Sequence, residues 1–306
     1  MRTETAPRPS FVLRRNRGLF ITACLAPALL LVGLFTYYPM IRGGVISFQN
    51  YTLFDLSNTD FIGWGNFEKV LAEPGFWTAL TNTGIWVLFS LTGQFVLGFA
   101  LALLLQKAFR GRGLYQALVF FPWAMSGFLI GLVWRWMFNA EFGVVNDLLL
   151  RLGVVDAPIA FLASPGWAQT GQIIANIWYG VTFFSIMILA ALQSVPQELH
   201  EAARLDGASY TQALLRVVIP FIRPTLVLVV LLRVIWILNF PDIIYAMTDG
   251  GPAGKTHIIT TYMINKIIGA QDYGQASAVG LIVLVLLFAF TVFYLAATRL
   301  EKSRDF

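Results

Sequence analysis

The stretch WAQTGQIIANIWYGVTFFSIMILAALQ (residues 167–193) runs directly into SVPQELHEAARLDGASYTQALLRVVIPFI (residues 194–222). The first piece carries no Asp, Glu, Lys or Arg. About 20 apolar residues suffice to carry a helix across the hydrocarbon core of a bilayer. The second piece is polar enough to leave the membrane, yet both its halves read as helices. Ser194-Val195-Pro196-Gln197 has capping-box spacing, with Pro196 in the first turn, where its missing N–H costs little. That helix is expected to reach Asp206, where Gly207 suits a C-terminal turn. Ser209-Tyr210-Thr211-Gln212 repeats the capping spacing and opens a second short helix, which Pro220 is expected to stop. A membrane span followed by a stiff polar protrusion is the pattern that organises the rest.

Outward from this stretch, other charge-free windows lie at Gly18–Met40, Gly84–Gln106, Leu114–Trp134 and Gly274–Thr298. A further window, Arg223–Phe240, is apolar except for Arg233. With Trp167–Gln193 these predict six transmembrane helices in an all-α integral membrane protein. Of the 306 residues, 58% are hydrophobic and only 12% charged, against roughly 25% charged in soluble domains. A closed barrel would need short alternating segments, which are not seen. Arg8, Arg14, Arg15 and Arg17 before the first window suggest a secretory signal, but the apolar run is too long and lacks a clear cleavage site. Cys24, the lone cysteine, lies in that window and excludes an internal disulfide framework.

Lys and Arg placement sets the orientation. With the N-terminus in the cytoplasm, residues 1–17, 107–113, 194–223 and 299–306 lie inside. They hold 14 of the 21 basic residues against 6 acidic ones, a balance of +8; the remainder balances at −3. Both termini are therefore expected in the cytoplasm, flanking a membrane domain at residues 18–298. The basic character is accounted for by this bias and calls for no nucleic acid. Three outer segments are long: Ile41–Thr83, with an amphipathic stretch at Phe67–Ala72; Asn139–Gly166; and Pro241–Tyr273, with the turn Thr248-Asp249-Gly250-Gly251-Pro252. Their surfaces are candidates for a partner outside the membrane.

Glu201-Ala202-Ala203-Arg204-Leu205-Asp206-Gly207-Ala208, followed by Ile219-Pro220 and Pro224, resembles the EAA loop of permeases in ATP-binding-cassette (ABC) importers. Leu192–Leu199 is similar to the sugar branch of that family. Phe121-Pro122-Trp123-Ala124, Gly131–Trp136, Asn176–Gly180 and Thr248–Pro252 extend the likeness to maltose-type, or glycan, permeases. It covers Pro27 to Arg299 and matches the compact form, without the extra N-terminal helices and large outer domain of the maltose permease. The resemblance implies the ABC type I importer permease fold. It also implies that residues 194–222 dock on a cytoplasmic ATPase dimer. ATP and Mg then sit on that partner and no cofactor on this chain. Further implied partners are a second homologous permease, an extracytoplasmic solute-binding protein, membrane lipid and a sugar. Glu201, Ala202, Ala203, Asp206, Gly207, Ala208 and Pro220 are the ATPase-coupling candidates.

No phosphate loop of the form G-x-x-x-x-G-K-[ST] and no catalytic Ser/His or metal cluster occurs in the sequence, so no catalytic role is expected. His200 and His257 are the two histidines, and a paired metal site is not expected. Sugar sites combine amides or hydroxyls with stacking aromatics. Asn176, Tyr179, Gly180 and Phe183 share one face of the fourth window. They match the family's sugar-contacting stretch, as do Trp236, Ile237, Asn239 and Phe240 in the fifth and Trp123, Ser126 and Gly127 in the third. For Asn176 and Asn239, lining a site and bonding between helices stand as equal alternatives. Arg233, near mid-span, is expensive there unless paired or hydrated; an ion pair and a cavity-facing position are both open, with a structural role expected, and Arg135 is expected to snorkel outward. A glycerol-3-phosphate-type permease is the nearest alternative, but Arg233 is the single base near the cavity, so a neutral sugar is expected. An ion-coupled secondary transporter would want Asp or Glu inside the six windows, which contain none.

Overall fold

The computed structural model describes residues 11–107 and 109–298, with side chains from Leu19 onward. The protein is helical throughout this range, with only isolated bridges such as Gln49 to Phe61. Helices α1 (Phe11–Val32) and α2 (Tyr38–Ile46) are joined through a π turn. Next come α3 (Gly65–Ala72), α4 (Pro74–Gln106), α5 (Arg112–Phe120), α6 (Gly127–Met137) and α7 (Val144–Arg151). They are followed by α8 (Pro165–Gln193), α9 (Gln197–Leu205), α10 (Tyr210–Ala213), α11 (Ile219–Leu238), α12 (Asp242–Thr248), α13 (Ile259–Ile268) and α14 (Tyr273–Thr298). Leu19–Ile46, Pro74–Gln106, Pro165–Gln193, Tyr210–Thr248 and Tyr273–Thr298 are long and apolar enough to cross a membrane.

The sixth expected span, Leu114–Trp134, is not one helix. It breaks between Ala124 and Gly127, and the two pieces meet at 101°. Pro122 has no N–H to continue the hydrogen-bond ladder. The chain there tightens into a 3-10 turn at Phe121–Ala124, and Met125 and Ser126 become extended. Ser126 then caps α6, its Oγ accepting from Leu129 N at 3.3 Å.

Two expectations at the protrusion also change. Ser194 closes α8 rather than opening the next helix, its Oγ donating to Ala191 O at 2.8 Å, and Pro196 leads into α9 with no side-chain cap. Pro220 does not stop the second helix. A π turn at Leu214–Val218 carries the Ile219 N–H back to Leu214 O, so α-type bonding restarts there and Pro220 falls in the new first turn. The protrusion's second half is thus continuous with the fifth span. The capping box at Ser209 and Gln212 is formed as expected.

The centre of the bundle is α4 against α8. Asn82, Trp86, Ser90, Gln94, Gly98 and Ala102 recur every fourth residue along α4, and all are buried. Small residues let the backbones approach: a side chain at Gly93 would meet Ile177, and one at Gly98 would meet Phe184. At the protrusion end Leu105, Phe183, Phe184, Ile188, Leu192 and Ile222 form one apolar cluster. At the opposite end, Asn82 Nδ2 donates to the carbonyls of Lys255 and His257 at 2.8 and 3.0 Å, Thr83 Oγ1 accepts from Ile259 N, and Trp86 Nε1 donates to Ile237 O. The bonds from Asn82 and Thr83 pull the expected outer loop Pro241–Tyr273 into the core. It holds α12 and α13, with Ile243, Ile244, Met247, Ile258 and Ile259 buried. The segment Ile41–Thr83 is likewise shortened by α3, whose Phe67 and Val70 are buried, and by the early start of α4.

Glu73 ties this outer layer together. The Tyr262 hydroxyl and Lys266 Nζ both donate to its carboxylate, and Lys266 also reaches Gln275 Oε1 at 2.9 Å. Partial burial pushes the carboxyl up, but the bonds from Lys266 and Tyr262 and the lysine's charge outweigh it and hold Glu73 below its ordinary 4.5. With the folded value depressed, the contribution is present above pH 4.5 and is lost as pH falls through that folded value. Its side chain is 39% exposed, and solvent screening confines the pair to about 1 kcal/mol or less. Glu73→Gln is therefore expected to lower thermal stability slightly at pH 7 and not at pH values below the carboxylate range. Unfolding curves of the detergent-solubilised protein at both pH values check this.

Candidate functional site

Where α6, α8 and α11 converge, beside the break in the third span, lies a cavity of about 460 Å³. The α8 wall supplies Asn176 and Tyr179, the end of α11 supplies Arg233, Trp236 and Ile237, and Asn239 and Phe240 follow it. Trp123, in the 3-10 turn, closes one side. Seven of these eight residues are ones the sequence singled out; Arg233 is the addition.

Tyr179 and Phe240 stack at 5.2 Å with their rings 5° from parallel. Phe240 is held there because its ring tip rests on Gly127, where a Cβ would overlap it. Gly127 therefore supports the wall and does not line it. Ser126 is the cap of α6. Phe183 is 1% exposed and lies behind the cavity, its ring 5.1 Å from Trp236 and 6.1 Å from Trp123. Gly180 lies beneath the Arg233 and Gln94 side chains, with no room for a Cβ. Asn176 is fully buried, and neither its Oδ1 nor its Nδ2 has a hydrogen-bond partner among the described residues. Its side chain thus borders the cavity and makes no interhelical bond among the described residues. Asn239 Nδ2 instead donates to Ile235 O at 3.0 Å within its own helix end.

At the foot of the cavity Arg233 is 3% exposed. Its Nε donates to Gln94 Oε1 at 2.6 Å, and Gln94 Nε2 donates to Asn176 O at 2.8 Å. The guanidinium carbon lies 5.8 Å from the Tyr179 ring centre and 5.5 Å from that of Phe183. Gln94 was missed by the sequence reading. An amide in the middle of an otherwise apolar span was its signal.

The second candidate region is the protrusion. Gly207 adopts φ +72°, Asp206 N and Ala208 N bond back to Ala202 O and Ala203 O, and α9 and α10 meet at this turn. Glu201, Ala202, Asp206, Gly207 and Pro220 are exposed, Ala208 is half-buried, and Ala203 is buried against the bundle. Gln197 Nε2 donates to Glu201 Oε1 at 2.9 Å. Leu205, at the tip, is 90% exposed and was not singled out from sequence. Lys107 Nζ sits over the Tyr210 ring at 5.9 Å and braces the protrusion against the end of α4.

A bundle of apolar helices around an aromatic- and amide-lined cavity, with a stiff polar protrusion at one end, is the architecture of a membrane permease subunit. The chain belongs to the binding-protein-dependent transport system inner membrane component family, whose profile matches residues 94–304. It is 34% identical to the sulfoquinovosyl glycerol transport system permease protein of Agrobacterium fabrum, covering 98% of this chain and 96% of that one. It is 33% identical to the trehalose/maltose transport system permease protein of Thermococcus litoralis, covering 91% and 93%. Among solved structures it resembles a chain of the bacterial alginate ABC transporter in complex with alginate pentasaccharide-bound periplasmic protein. That match has a TM-score of 0.82 and 26% identity over 94% of this chain and 97% of the other. The fold is therefore that of an ABC type I importer permease.

Proposed function

We propose that this chain forms one half of the membrane pore of a bacterial ABC importer and moves a sugar across the cytoplasmic membrane by alternating access. The observation that carries the reading is the cavity itself. The Tyr179–Phe240 stack offers an apolar platform for a sugar ring, and the unpartnered Asn176 amide beside it offers both a donor and an acceptor for hydroxyls. The named relatives handle sulfoquinovosyl glycerol, trehalose or maltose, and alginate, which supports a carbohydrate cargo here. A glycerol-3-phosphate-type cargo has no such support.

In this reading a solute-binding protein delivers the sugar at the outer face, and a second, homologous permease completes the pore. Both termini lie in the cytoplasm, in keeping with the +8 against −3 charge split. A separate ATPase dimer carries ATP and Mg and grips the protrusion through Glu201, Ala202, Asp206, Gly207, Ala208 and the exposed Leu205. Because α10 runs through the π turn into α11, a push on the protrusion is delivered to the helix that bears Arg233, Trp236 and Ile237. ATP-driven closure below thus reaches the cavity wall with no flexible joint between.

The test is uptake of the labelled sugar bound by the partner binding protein, in cells with and without the ATPase gene. Uptake is expected to vanish without the ATPase. Persistence would show a self-sufficient carrier and end this reading.

A further inference from the structure

Arg233 is a cation without an anion. It is 3% exposed in a span, lines the cavity, and no described carboxylate lies within 4.0 Å of it. Its protein partners are a neutral amide on Nε and two ring faces. A guanidinium carries five donors, and Gln94 takes one of them. Gln94 and Gly180 hold the group in place: the amide fixes Nε, and the bare glycine leaves space for the Nη2 end. A charge left uncompensated at membrane depth is costly, and a preset planar fork is the geometry that receives an oxyanion through two parallel bonds. Asn176, with both side-chain polar atoms unpartnered, lines the same cavity.

We propose that the cargo is an acidic sugar, and that Arg233 is the specificity-determining residue that receives its carboxylate, sulfonate or phosphate while Tyr179 and Phe240 hold the ring. This rests on the reading of the cavity as the sugar site and departs from the neutral sugar expected from sequence. The change comes from position: Arg233 lines the cavity, and no ion pair among the described residues neutralises it.

The experiment uses the assembled importer, with partner permease, ATPase and binding protein, in proteoliposomes. Stimulated ATP hydrolysis and uptake are read for glucose against glucuronate, sulfoquinovose and glucose 6-phosphate, and for maltotriose against trigalacturonate. Members bearing an anion are expected to drive the wild-type importer and their neutral counterparts not to, and which anion is best identifies the group. Arg233→Gln is expected to lower uptake of the driving acid by roughly 100-fold, and Arg233→Lys to restore part of it. If Arg233→Gln fails to assemble, Arg233→Lys carries the test of the residue: it keeps the charge and loses the fork, and undiminished uptake of the driving acid overturns the role of Arg233. Equal stimulation by a neutral member overturns the acidic cargo and leaves the sugar reading intact. No stimulation by any member overturns both.

Discussion

Replacing Gly207 by proline is expected to uncouple the importer: sugar-stimulated ATP hydrolysis falls to the unstimulated level while the chain still inserts and assembles. Gly207 sits at φ +72°, in the left-handed region that glycine enters freely. Proline locks φ near −65° and removes the N–H that Gly207 donates to Arg204 O at 3.0 Å. A misfit of about 3 kcal/mol depletes the native turn by roughly a hundredfold. The consequence is local, because nothing lies within 4 Å of a Cβ at Gly207, so no packing is lost. Gly207→Ala separates the two parts of the argument. It keeps the N–H and meets open space, so its only cost is a left-handed alanine, about 1–2 kcal/mol, and partial coupling is expected. Liposome assays of ATP hydrolysis with and without sugar, beside a membrane-fraction blot, measure both variants. Normal coupling in Gly207→Pro would show that the angle between α9 and α10 does not transmit the stroke.

The spans and the protrusion were legible in the sequence because each rests on a local signal: charge-free length for Pro165–Gln193, a glycine and a capping pair for the turn at Gly207 to Gln212. The breaks were not, because proline is read correctly only against its surroundings. Pro122 bends its helix by helping to end one piece before Ser126 caps the next, whereas Pro220 is absorbed by a π turn that lies ahead of it. Nothing in the two dipeptides separates these outcomes. Pro241–Tyr273 read as an outer loop because its polar and turn residues are conspicuous; Asn82 and Thr83 bind its backbone from another helix, 173 to 176 residues away in sequence. At the site, Trp123, Asn176, Tyr179, Trp236, Ile237, Asn239 and Phe240 were found by face and resemblance. For Arg233 the need for a partner was visible in the sequence, and the partner's neutrality was not.

Two glycines on facing helices are expected to fail in opposite ways, which separates the bundle from its cavity. At Gly98 on α4 a Cβ would stand 2.5 Å from Phe184 Cβ, 3.1 Å from Val181 O and 3.2 Å from Ser185 N. These are backbone atoms and a Cβ of α8, fixed in the helix, so Gly98→Val can be relieved only by parting α4 from α8. Overpacking of a tight core costs about 1–3 kcal/mol or more, and separating the two helices also opens the cluster of Leu105, Phe184 and Ile188. The yield of folded protein is expected to collapse, as read by gel filtration in detergent. At Gly180 the overlapping atoms are the Gln94 amide carbon and Arg233 Nη2, the far ends of long side chains. Gly180→Ala is therefore expected to fold and to reach the membrane normally. The added methyl must displace the pair, and with it the bonds from Arg233 Nε to Gln94 and from Gln94 to Asn176 O. A shift of about 1 Å at a positioned group costs on the order of a hundredfold in function, so sugar-stimulated hydrolysis is expected to drop steeply while the unstimulated rate holds. If Gly180→Ala instead transports at the wild-type rate, the placement of Gln94 and Arg233 has no part in cargo handling. If it fails to fold, their seat belongs to the bundle and not to the site.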